Sequence, residues 1–224
     1  MTEPRSKDHS IHVTDEKFNA VSHLVAACFA LLGAAILIAK AASTGQPWKI
    51  VGLSVYGLSL VTLFVFSTLH HSVNGGKKVD SILRTFDYLS VFFLIAGTTT
   101  PLILVIYRNV FGWAVFGAVW AVAATGITLR AISSNLPRHI LNTFYIVLGW
   151  LPIVLVADTP HLPVIALVLL AAGGVLYSVG FNVYVAERPN PKPGVFGFHE
   201  LWHGFVAIAA LLHFLLMYRY VLPY

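Results

Sequence analysis

Long apolar stretches, separated by short polar connections, dominate this 224-residue chain. A helix needs about 20 apolar residues to cross the hydrocarbon core of a bilayer. Because a spanning segment must satisfy its own backbone hydrogen bonds, such stretches predict transmembrane helices. Seven segments qualify, so we predict an all-α bundle of seven transmembrane helices. The predicted spans are residues 18–42, 48–71, 84–107, 110–129, 140–157, 162–185 and 199–221.

The composition supports a membrane location. Hydrophobic residues make up 58% of the chain and charged residues 10%, against about 45–50% and about 25% in soluble domains. So few charges cannot cover a water-facing surface, and so apolar a chain does not stay disordered. We predict a multi-pass integral protein of the cell membrane, with a short cytoplasmic tail at 1–17 and one transmembrane domain at 18–224.

The basic residues predict the orientation of the bundle. With the N-terminus in the cytoplasm, ten of the 14 Lys and Arg residues lie on the cytoplasmic side. An excess of Lys and Arg is typical of that side, so the C-terminus is predicted outside. Because the basic residues are scattered between spans, we expect no nucleic-acid partner. The four on the outer side are Lys40, Lys49, Arg108 and Arg219.

Polar residues from four spans fall at one predicted depth, near the cytoplasmic side. A charged side chain in a span costs about 2.5–3.5 kcal/mol at the bilayer centre and less near the interface. So many polar groups at one level indicate a functional site, although a hydrogen-bond network without metal is the alternative. The residues are Glu16, Asn19, His23, Ser67, His70, His71, Asp87, His199 and His203.

The histidine spacing predicts a metal site. His199 and His203 are four residues apart, so a helix places both rings on one face, where both can reach a single Zn²⁺. Ser67 and His71 have the same spacing, which makes His71 a third ligand, but helical periodicity alone leaves His70 as an alternative. Three imidazoles and one water form the open arrangement typical of catalytic zinc.

Asp87 and the metal's identity complete the predicted site. Asp87 begins the third span at the same depth, where it can hydrogen-bond the water as a general base or an orienting group. The chain has one cysteine, Cys28, so the ligands are imidazole and oxygen. Such ligands favour zinc, with iron, nickel and copper as alternatives.

Three motifs resemble the haemolysin III branch of the progestin and adipoQ receptor superfamily, a group of seven-helix membrane proteins. Residues 87–101 and 197–203 are also similar to haemolysin III signatures. The resemblance covers essentially all seven spans. The motifs are Glu16-x-x-Asn19-x-x-x-His23, Ser67-x-x-x-His71 followed by Asp87, and His199-x-x-x-His203.

The resemblance implies specific roles for these residues. It favours His71 over His70. It places the catalytic residues Ser67 and Asp87 around the bound water. Zinc is implied on His71, His199 and His203, with a neighbouring polar cluster of Glu16, Asn19 and His23.

The predicted function is that of a zinc-dependent, ceramidase-like hydrolase of lipid amides or esters, with a membrane lipid as substrate or ligand. One alternative is a non-enzymatic sensor, receptor or lipid-homeostasis protein with structural zinc. Another is an intramembrane metalloprotease, because residues 199–203 spell H-E-x-x-H, although we interpret Glu200 as incidental. A cytolytic pore is disfavoured, since no span carries a continuous polar stripe. No feature of the sequence indicates the oligomeric state.

Overall fold

The computed structural model describes residues 14–133, 136–158 and 162–224. Within these ranges there is no strand, and seven helices are long and apolar enough to cross a membrane. The predicted all-α fold is confirmed: the chain is a multi-pass integral membrane protein. The helices are α1 Glu16–Ser43, α2 Pro47–Ser72, α3 Gly76–Pro101, α4 Val110–Ile132, α5 Arg138–Trp150, α6 Val164–Ala186 and α7 Phe198–Leu216.

Two predictions about the ends of the chain stay predictions. Most of the tail predicted at 1–17 lies outside the described residues. The orientation of the bundle also stays a prediction, because the structure contains no membrane.

Helix boundaries follow local capping and composition. The Asp15 carboxylate accepts the backbone N–H groups of Lys17 and Phe18, at 3.0 Å each, which starts α1 just before the apolar stretch. Helix α3 begins at Gly76 rather than at residue 84. Its first turns are polar and extend the helix beyond the apolar segment, and hydropathy detects only that segment.

Helix α5 changes form where the sequence places a proline. It is α-helical over Arg138–Trp150 and continues as a 3₁₀-helix over Leu151–Asp158. Pro152 has no N–H and crowds the preceding turn, so the regular i→i−4 pattern cannot continue through it. The fifth span is therefore present but irregular.

Small residues allow the helices to approach closely. A Cβ atom on Gly57 of α2 would lie 2.8 Å from the Ala34 Cβ of α1. A Cβ on Gly173 of α6 would collide with the ring of His213 in α7. That ring donates from Nε2 to the Leu170 carbonyl of α6 at 3.2 Å, while its Nδ1 has no hydrogen-bond partner among the described residues.

Helix α3 is the central helix of the bundle. In its most apolar segment 67% of residues are buried, against 17% in both α5 and α6. Helices α1, α2 and α3 pack in sequence order, and α7 packs against both α6 and α1. This arrangement brings the last turn of α2 and the first turns of α1 and α7 together at one end of the bundle.

Candidate metal centre

Three imidazoles from α2 and α7 form a compact buried group. His71 lies in the last turn of α2, and His199 and His203 lie in the first two turns of α7. One ligand atom from each ring lies within 4.8 Å of the other two. The ring centroids are 4.9–5.0 Å apart, which is nearly an equilateral triangle. A buried triple-histidine group of this kind could hold a metal ion.

The two histidines of α7 have the separation that a shared ion requires. Their Nε2 atoms are 3.2 Å apart. Two ligands at about 2.0–2.1 Å from one tetrahedral zinc ion are roughly 3.3 Å apart. The i, i+4 spacing therefore brings the two nitrogen atoms to a distance suited to metal binding.

Glu16 of α1 orients the ring of His71. The Nδ1 atom of His71 lies 2.6 Å from Glu16 Oε2. A carboxylate only accepts, so Nδ1 carries the proton and the Nε2 lone pair is left for a metal. Carboxylates commonly hold metal-binding histidines in this way, fixing the tautomer and raising the basicity of the ligand. The sequence predicted Glu16 only as part of a neighbouring cluster.

Ser22 plays the corresponding part for His203. The Ser22 hydroxyl donates to the Asn19 carbonyl at 3.1 Å, and its oxygen lies 3.4 Å from His203 Nδ1. Since the hydroxyl proton is already donated, His203 Nδ1 is the donor to Ser22, and the Nε2 lone pair faces the group. Sequence reasoning missed Ser22. The available signal was its position on α1, one turn after Asn19.

His23 and Asn19 pack directly against the three histidines. The His23 ring stacks on His203, with centroids 3.7 Å apart and an interplanar angle of 16°. Its Nδ1 atom lies 2.7 Å from Ser67 Oγ. Among the described residues, neither the buried His23 Nε2 nor the buried Asn19 Oδ1 has a hydrogen-bond partner. A buried polar atom costs free energy unless it is paired, so this neighbourhood is suited to a polar ligand.

Glu200 connects α7 to α1. Its Oε1 accepts the Asp15 backbone N–H at 2.6 Å and the Asn19 side-chain amide at 3.3 Å. Its Oε2 accepts the Gly197 N–H at 2.7 Å, which is the carboxylate half of a capping box, since Gly197 has no side chain to return the bond. Both oxygens of the H-E-x-x-H glutamate are therefore occupied by the start of α7 and by α1.

The remaining predicted residues take different positions. Ser67 is buried and joins the network through His23. His70 is also buried, with its ring 4.8 Å from that of His71, but only His71 belongs to the triple-histidine group. Asp87 is half-buried on α3, and it too lies outside that group. In the part of the chain that the structure describes, no carboxylate joins the three imidazoles as a fourth ligand.

Comparison with known proteins gives consistent matches. The model of a family described as haemolysin-III related matches residues 11–214. The chain is 33% identical over 212 residues to Hemolysin-3 of Bacillus cereus, with 94% of each chain covered. It is 33% identical over 217 residues to the Hemolysin-3 homolog of Bacillus subtilis (strain 168), covering 95% of this chain and 98% of that one. Human monocyte to macrophage differentiation factor is 24% identical over 207 residues, covering 91% and 83%.

Proposed function

The chain belongs to the haemolysin-III-related family, and on that premise we propose that it binds zinc on His71, His199 and His203 and hydrolyses an amide or ester of a membrane lipid. The resemblance noted in the sequence is thereby confirmed. The observation that carries the proposal is the convergence of three buried imidazoles, two of them held by partners at their other ring nitrogen.

The donor set fits zinc. Three neutral imidazoles with no fourth protein ligand among the described residues correspond to the open arrangement of catalytic zinc sites, whereas structural sites are usually closed by four protein ligands. When bound, zinc supplies Lewis-acid activation of water and of a carbonyl group. The unpaired His23 Nε2 and Asn19 Oδ1 lie beside the group and can hydrogen-bond a polar ligand.

The position of the group along the helices favours a lipid carbonyl as the substrate. The three histidines lie within two turns of the ends of α2 and α7. The ends of helices this long reach the polar interfacial layer of a bilayer, which is where the ester and amide groups of lipids lie. A substrate can therefore place its carbonyl at the histidines while its acyl chains stay between or beside the helices.

Each surrounding side chain has a distinct part in the proposed reaction. Glu16 keeps the proton on His71 Nδ1, and Ser22 does the same for His203. Ser67 Oγ lies 2.7 Å from His23 Nδ1; in the proposed reaction the hydroxyl donates this bond, so that His23 Nε2 carries a proton and donates to a substrate oxygen. Asp87, which lies outside the histidine group on α3, would accept a proton from water in this reaction.

The experiment is a paired assay of metal content and turnover. Detergent-purified wild type and Asp87→Asn are measured for zinc by mass spectrometry and for hydrolysis of a short-chain ceramide and a matched ester. We expect about one zinc per chain in both proteins, and turnover only in wild type. Full turnover in Asp87→Asn contradicts the role of Asp87, and a metal-free, inactive wild type contradicts the proposal as a whole.

A second candidate is a non-enzymatic sensor or lipid-homeostasis protein with structural zinc. It is favoured by the way the network ties α1, α2 and α7 together. In that case, zinc-loaded wild type hydrolyses neither substrate, and removing the metal with a chelator lowers its melting temperature.

A further inference from the structure

The end of the bundle opposite the histidines carries unbalanced positive charge. This distal end is formed by the α1–α2 and α3–α4 connections and the C-terminal turns of the chain. Its connecting segments and helix ends, including the end of the 3₁₀-helix that follows α5, hold four basic residues against two acidic groups, Asp158 and the terminal carboxylate of Tyr224. The ion pairs within the described ranges, Glu16–His71 and Arg138–Glu187, both lie at the histidine end. The four basic residues are Lys40, Lys49, Arg108 and Arg219.

Lys49 is the unusual member of this set. It is only 3% exposed, yet it forms no hydrogen bond or ion pair with the described residues. It lines a cavity of about 400 Å³ together with Trp48, Leu104 and Arg108. An ammonium group on a side chain this buried has little contact with water, so an opposite charge or hydrogen-bond acceptors beside it are favourable. The cavity beside it is the place from which such an acceptor can come.

Two further features make the same cavity suitable for an anion. The cavity lies at the N-terminus of α2, where Gln46 provides no side-chain cap. The first N–H groups of a helix lack intrahelical partners and favour negative charge. The Arg108 guanidinium lies 5.9 Å from the centroid of the Trp48 ring, and Trp48 contacts Trp113 edge to face at 5.7 Å. These rings hold the second cation at the rim.

We propose that this distal cavity binds a phosphate group, carried by an anionic phospholipid headgroup or by a soluble phosphate. Lys49 provides an ammonium group at the tip of a buried side chain, Arg108 provides a planar guanidinium suited to phosphate oxygens, and the α2 N-terminus provides backbone donors. Trp48 and Trp113 are the kind of residue that lies at headgroup depth in membranes. The site is independent of the zinc proposal, because none of its residues contacts the histidine group.

The test measures ligand-dependent stability and affinity with the full-length protein in a zwitterionic detergent. The probes are dioctanoyl-phosphatidylglycerol, dioctanoyl-phosphatidylcholine and inorganic phosphate. The variants are Lys49→Gln and Arg108→Gln, and the matched control is Lys40→Gln, an exposed cation in the distal end that lines a different cavity. Arg108 is exposed, so its variant remains informative if Lys49→Gln does not fold.

In wild type we expect tighter binding of phosphatidylglycerol than of phosphatidylcholine, and a loss of about tenfold or more in each cavity variant but not in Lys40→Gln. If millimolar inorganic phosphate displaces phosphatidylglycerol, the site is assigned to soluble phosphate. If phosphatidylglycerol binding is unaffected by inorganic phosphate, the site is assigned to the lipid headgroup. The proposal is overturned if none of the three probes binds, if both cavity variants bind as wild type does, or if Lys40→Gln loses as much affinity.

Discussion

Polar side chains have different hydrogen-bond and ion-pair partners at the two ends of the bundle. At the histidine end, most imidazole, carboxylate and hydroxyl groups form hydrogen bonds between helices, as in the pair of buried His71 and half-buried Glu16. At the distal end, basic side chains line cavities and form no ion pair among the described residues, as with Lys49. A network that positions its own members is suited to chemistry, whereas uncompensated charge beside a cavity is suited to recognition of an outside charge.

The largest effect that would test this comparison is loss of the metal. In His203→Ala we expect zinc content to fall from about one ion per chain to nearly none, because two imidazoles without a third seldom hold zinc tightly. Mass spectrometry on detergent-purified protein, prepared without chelator, measures it. His70→Ala is the matched control, a buried neighbouring histidine outside the group. Equal zinc in the two variants would contradict the assigned ligand set.

A smaller effect is expected from the carboxylate behind His71. Glu16→Gln keeps an acceptor for Nδ1 but removes the charge, and loss of an outer partner typically weakens metal affinity by about 10–100-fold. Competition with a zinc-selective chelator gives the affinity. Glu187→Gln, which alters the ion pair with Arg138 at the same end, is the control and should bind zinc as wild type does. An unchanged affinity in Glu16→Gln would mean that Glu16 does not support the site.

Glu200 should affect stability rather than chemistry. Glu200→Gln weakens charge-assisted hydrogen bonds to Asp15, Asn19 and Gly197, for which we expect a loss of about 1–3 kcal/mol in stability. Thermal unfolding followed by circular dichroism measures the loss. Zinc content should stay unchanged, as should any hydrolytic activity of the folded protein. Abolished turnover in a variant of normal stability would favour the metalloprotease alternative.

The smallest expected effect is that of a substitution at the distal end on zinc affinity at the histidine end. Lys49→Gln should leave zinc affinity within about twofold of wild type, since distant and unconnected sites act almost independently. The same chelator competition as for Glu16→Gln measures it. A larger change in the zinc affinity of Lys49→Gln would show that the two ends do not act separately.

The fold was readable from the sequence because its signals are local. Hydropathy marks each span, and the helical period places His199 and His203 on one face whatever surrounds them. Hydropathy was less accurate for helix boundaries where polar residues continue a helix, as at the start of α3. In α5, the regular α-helix ends near Pro152. The gathering of polar residues at one end also followed from the sequence, since alternating spans return to the same side of the membrane.

The sequence by itself therefore determined the seven helices, the end at which the polar residues gather and the histidine pair of α7. Only the tertiary structure decided which side chains meet: Glu16 with His71, Ser22 with His203, and Glu200 with the start of α1 rather than with the histidines. It also decided that Lys49 is buried beside a cavity. These pairings depend on how each helix is rotated and packed against helices distant in the chain, and neither hydropathy nor periodicity contains that information.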